Sequence, residues 1–94
     1  MTKAATPTLQ SDTPEARVTH WHFPPGSATG HHRHEFDYVV VPLTDGVLTA
    51  VTASGRIENR LAAGKSYFRK AGVEHDIVNE AETDFAFVEV EIKR

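Results

Sequence analysis

The chain contains no cysteine, so no disulfide can brace it and no thiolate can bind a metal. Long apolar runs are missing as well; nothing approaches the roughly 18 residues that a membrane-spanning helix needs. Residues 1–16 lack the apolar block of a signal peptide. No segment sustains an apolar period of 3.6 residues, which excludes amphipathic helices as the main building element. Positive charge is not in excess: the net charge is −3, so the basic footprint of a nucleic-acid binder is absent. These absences leave a small domain without membrane or nucleic-acid partners. A cysteine-free chain fits a reducing cytoplasm, which is the expected location. With 94 residues there is material for one domain. Its core is modest, so stability must come from a closed sheet, from dimerisation or from a bound ion.

What is present is histidine and alternation. Four of the six histidines lie between His20 and His32. Residues 1–14 are rich in Thr, Ala, Ser and Pro, and residues 1–16 read as a flexible N-terminal arm, or as a segment that orders against a partner subunit. Residues 17–94 read as the folded domain. Within residues 17–23, Thr19, Trp21 and Phe23 share the face with the larger apolar content, so His20 and His22 point outward. Pro24, Pro25 and Gly26 end that strand. Residues 34–43 form the next, centred on Val39, Val40 and Val41. Asp45-Gly46 is a hairpin turn. Strands follow at residues 47–52, 56–61, 66–69, 75–79 and 85–93. In the last, Phe85, Phe87, Glu89 and Glu91 share one face. Seven or so short strands, punctuated every 8–12 residues, predict an all-β sandwich or barrel.

His32 and His34 are two apart, which puts both rings on one face of a strand. His75 follows a second glycine-bounded turn. Three imidazoles meeting inside a small barrel make a metal site; the bland alternative is three cavity-lining histidines bonded to each other and to water. Neutral imidazole suits Zn, Cu, Fe or Ni. A set without carboxylates leaves the full ionic charge on the metal and makes it a stronger Lewis acid. His31 has the opposite parity and reads as a loop residue. Asn79 reads as a strand-end residue whose amide ties backbone. Phe36, Val40, Phe68, Ile77, Phe85 and Phe87 read as core.

The spacing also matches a known pattern. Gly26, His32, His34 and Gly46 fit the first motif of the cupin superfamily. Gly64, Gly72, His75 and Asn79 fit the second. The chain resembles a small bacterial single-domain cupin, and residues 38–43 and 67–75 resemble a group of these, some linked to β-alanine degradation. The resemblance implies a jelly-roll β-barrel that forms a homodimer by sheet extension. It also implies one divalent transition metal ion, with Fe(II) favoured and Zn, Ni, Mn or Cu as alternatives. The family's glutamate ligand is missing here. Strand parity puts Tyr38 in its place, as a phenol reaching the metal or a bound oxygen species or substrate, or as an aromatic filling the barrel. Glu89 is a second candidate for the missing carboxylate, although an edge-exposed glutamate is the plainer reading. Lys70 stands where the second motif has proline. Some cupin dioxygenases use three histidines and no carboxylate. The expectation is therefore an oxygenase acting on a small organic molecule, with Tyr38 as its catalytic residue. The alternative is a module that binds or senses a small ligand or metal without turnover.

Overall fold

Alternation builds two sheets here, and the computed structural model describes them over residues 3–94. In chain order the strands are β1 (Lys3–Ala4), β2 (Thr6–Asp12), β3 (Ala16–Phe23), β4 (Ser27–Ala28), β5 (His32–Arg33) and β6 (Asp37–Pro42). They continue with β7 (Gly46–Thr52), β8 (Gly55–Leu61), β9 (Tyr67–Arg69), β10 (Glu74–Val78) and β11 (Phe85–Ile92). One sheet runs β1-β4-β10-β7-β8, with β5 added beside β10; the other runs β2-β3-β11-β6-β9. The described residues contain strands and turns and no helix, which is the all-β jelly-roll architecture that the turn spacing predicted.

The inner faces of the two sheets meet in a core of Phe23, Tyr38, Val40, Leu48, Phe85 and Phe87. Phe23 and Phe87 pack with ring centroids 5.3 Å apart, inside the range of favourable aromatic pairs. Phe85 sits against Gly46, where a Cβ would come within 2.9 Å of the Phe85 ring. The hairpin glycine therefore makes room for a core aromatic. Phe68 departs from its expected place: it is 46% exposed, because β9 shows the cavity its flanking residues, Tyr67 and Arg69, and turns the one between them outward.

Where the sequence suggested an arm, the structure has strands. β1 runs parallel to β4, and β2 pairs antiparallel with β3 from Thr6 opposite His22 to Asp12 opposite Arg17. Ala5, between them, is buried and donates its N–H to the carbonyl of Ala28 at 2.9 Å. The physical reason is that ladder bonds are made by backbone, so a strand with little to bury leaves little apolar signal in its sequence. Met1 and Thr2, the first residues of the expected arm, lie outside the described residues. No helix among the described residues is long and apolar enough to cross a membrane.

Two connections fix the barrel around its interior. The Asn79 side chain is fully buried and donates from Nδ2 to the carbonyls of Phe23 and Thr83, both at 2.9 Å. Its backbone carbonyl accepts from Gly26 N–H at 2.8 Å. The first and last residues of the two-motif region are thus in direct contact. Asn79 ties backbone, as its sequence position suggested.

Candidate metal centre

β5 and β10 run side by side, with His32 directly opposite His75. Beyond β5 the chain bends, and His34 is held by a reciprocal pair of backbone bonds to the second glycine turn. Its N–H donates to the Val73 carbonyl at 2.9 Å, and its carbonyl accepts from Gly72 N–H at 2.8 Å. Gly72 has φ +98°, a conformation that residues with a Cβ rarely adopt. The glycine turn before His75 is therefore also the clamp on His34, so the two motifs are one physical unit.

These contacts bring the three imidazoles together. Nε2 of His34 lies 3.1 Å from Nε2 of His32 and 3.1 Å from Nε2 of His75. Two nitrogens each about 2.1 Å from one ion would be about 3.0 Å apart at a right angle and about 3.4 Å apart at the tetrahedral angle. Both spacings from His34 fall between these, and the ligand nitrogens of all three lie within 4.8 Å of one another, so the cluster could hold a metal ion. Tautomer chemistry agrees. His32 Nδ1 lies 2.8 Å from the Gly30 carbonyl; donation there leaves the Nε2 lone pair facing its neighbours. Burial, then the nearby His32 and His75, pushes His34 down to about 4. Burial, then His32, does the same to His75. Both rings are neutral at pH 7, the form that ligates metal. Among the described residues the cluster holds three histidines and no carboxylate.

Tyr38 is buried and stacks on the His34 ring, with centroids 3.8 Å apart and planes 14° from parallel. Stacking holds the plane of the imidazole. Tyr38 also lines the cavity, and its hydroxyl makes no hydrogen bond to a described residue. Burial, then Glu89, raises its phenol above the usual value, so it stays neutral. His31 lies outside the cluster and approaches the exposed Glu74 at 3.7 Å. His22 bonds Asp84 at 2.9 Å, away from the imidazole cluster.

The imidazoles open into a cavity of about 580 Å³ between the sheets. Trp21, Val40, Leu48, Ile77 and Phe87 give it apolar walls. Glu89 lines it too, which corrects the plainer expectation of an edge-exposed glutamate: β11 is a central strand, paired on both sides. Three further polar groups did not stand out in the sequence. Glu91 is buried and accepts two bonds from Arg17, at 2.7 and 2.8 Å. Arg69 stacks over the Tyr67 ring at 4.4 Å, at the edge of the cavity. Arg33 also lines it, and among the described residues neither Arg33 nor Arg69 forms an ion pair. Parity could have found Glu91, which shares the face of Phe87, but nothing local marks Arg17 as its partner across the sheet.

Comparison with known proteins agrees with this architecture. A family profile described as "Cupin domain" matches residues 19–91. The chain is 55% identical over 89 residues to the β-alanine degradation protein BauB of Pseudomonas aeruginosa, covering 95% of this chain and 94% of that one. It superimposes on a crystal structure of a cupin domain from Bordetella pertussis with a TM-score of 0.98 and 49% identity, over 100% of this chain and 98% of that one. A Klebsiella pneumoniae protein with a double-stranded β-helix domain shares the fold at 24% identity and a TM-score of 0.79, over 96% of this chain and 77% of that one. With the paired sheets, the two glycine turns and the three converging imidazoles, these matches place the chain in the cupin family.

Proposed function

We propose that this cupin is a small metal-dependent oxygenase acting on a small organic acid, with Fe(II) as its metal. The observation that carries the proposal is the set of three imidazoles, without a carboxylate, facing a cavity large enough for a small molecule. A three-nitrogen set leaves coordination positions for substrate and a co-reactant. Bound iron would supply the oxygen chemistry, which side chains alone do not provide.

The chain's own residues do the rest. His32, fixed in one tautomer by Gly30, His34, clamped by the Gly72 turn, and His75, opposite His32 on β10, would hold the ion. Tyr38 keeps the His34 ring in plane, and its free hydroxyl is available to orient a bound oxygen function. Trp21, Leu48 and Phe87 exclude water from the reacting atoms. Arg69 and Arg33 offer positive charge to a carboxylate at the cavity edge. The name of the Pseudomonas relative supports a small acid, since β-alanine itself carries a carboxylate.

The test is anaerobic loading with Fe(II), metal analysis, and oxygen uptake with a panel of small acids, diketones and thiols. Uptake that depends on one of these supports the oxygenase. A fully iron-loaded protein that consumes no oxygen with any of them overturns it in favour of a binding or sensing module.

The proposal includes a homodimer. β2 is an edge strand with all seven residues exposed, Leu9 at 58%. A long strand with free backbone groups on its outer side is what a second copy of the chain would cover.

A further inference from the structure

The wall opposite the imidazoles carries an ionisable group that metal binding does not use. Glu89 lies in the middle of β11, opposite Thr19 on β3 and Val40 on β6, and faces the cavity. It makes no hydrogen bond or ion pair with any described residue. Two positions along, Glu91 is engaged by both arms of Arg17. One face of one strand thus presents two carboxyl groups, one held by a guanidinium and one left to the cavity. Contrasting environments of this kind separate a structural carboxylate from a proton-exchanging one.

We propose that Glu89 is an acid–base residue: it exchanges a proton with the carbon beside the carbonyl of a small oxo acid. The inference rests on the cavity reading above and extends it to a substrate class. The carbonyl would lie toward the three imidazoles and the carboxylate toward Arg69. In the step the C–H bond breaks, its electron pair moves through carbon onto the carbonyl oxygen to give an enolate, and the proton goes to a Glu89 Oε. Reversal returns a proton to carbon, so no oxidant is consumed.

The charges around Glu89 suit this role. Burial, then the charge of Glu91, pushes its carboxyl up to about 7, against a smaller opposite pull from Arg17. From the other elements, Tyr38 on β6 and Tyr67 and Arg69 on β9 face the same space, with His32, His34 and His75 across it. Both phenols are raised and neutral, so they add no competing charge near pH 7. A base that is half ionised near neutral pH is well matched to taking a proton and giving it back.

The test uses full-length protein loaded with Zn(II), without oxygen, in D2O, with pyruvate as the probe. Methyl-proton exchange read by NMR is expected to exceed the buffer rate, to rise with pH through about 7, and to fall about a hundredfold in Glu89→Gln at unchanged zinc content. A second readout needs no turnover and no variant of uncertain folding. Carbon-13 labelling of the glutamate carboxyls should show one resonance titrating near pH 7 in the wild type. Exchange at the buffer rate in the wild type, equal exchange in Glu89→Gln, or no glutamate titrating near neutrality would each overturn the inference. Because zinc and the absence of oxygen remove oxygenase chemistry, the two proposals fail separately. Exchange without oxygen uptake in the iron experiment overturns only the oxygenase; uptake without exchange overturns only the role of Glu89.

Discussion

His34 is held from two directions, by the backbone bonds to Gly72 and Val73 and by the stacked Tyr38 ring, and its Nε2 faces those of His32 and His75. Removing its imidazole takes away the nitrogen common to both close contacts. His34→Ala is expected to abolish metal retention after desalting, whereas His20→Ala, on the outer face, should leave metal content unchanged; elemental analysis of the two variants decides it. Glu89 makes a prediction of the opposite kind, about stability. Burial raises its carboxyl from an unfolded value of 4.5 to about 7. Between those values the folded chain binds more protons than the unfolded one, so stability contributed at low pH is lost as pH rises through about 7. The loss is at most about 3 kcal/mol. Glu89→Gln removes it, so urea melts should show the variant gaining stability over wild type at pH 8 and little or nothing at pH 5.

At the scale of elements, the turns carry as much information as the strands. The hairpin between β6 and β7 puts Gly46 against Phe85. Gly46→Ala forces the Phe85 ring to shift within a filled core, at a cost of about 1–3 kcal/mol in a denaturant melt. The main strands from β3 onward were legible because each alternates or is bounded by Pro, Gly or Asp-Gly. β4 and β5, two residues each, are too short to show a period. β2 leaves no sequence signal for a different reason: no residue in it is buried, so hydrophobic alternation has nothing to report. The convergence of His32, His34 and His75 was legible from spacing and parity, and the place of Tyr38 beside them from parity with His34. Glu89 shares the face of Phe87 by parity, but its burial depends on β11 lying between β3 and β6, which only the pairing order reveals. The Arg17–Glu91 bond spans 74 positions and leaves no local trace.

For the whole molecule, the exposed β2 edge leads to the proposed homodimer. Sedimentation is expected to give twice the 10.4 kDa chain mass. Leu9→Lys, which puts a charge on that edge, should shift the equilibrium toward monomer. A monomer at micromolar concentration in the wild type would remove the dimer from the proposal.

The 41 positions that separate His34 from His75 have a thermodynamic consequence. An unfolded coil has no reason to hold the two near each other, so an ion bound by them would link its uptake to folding in a single equilibrium. Free ion at a hundred times its dissociation constant would then add about 2.7 kcal/mol to the native state, or very roughly 10–20 °C of melting temperature for a domain this size. In a chain with no covalent crosslink, thermal midpoints recorded with and without chelator should therefore act as a gauge of occupancy, sliding upward as each candidate ion is titrated in and ranking those ions by affinity.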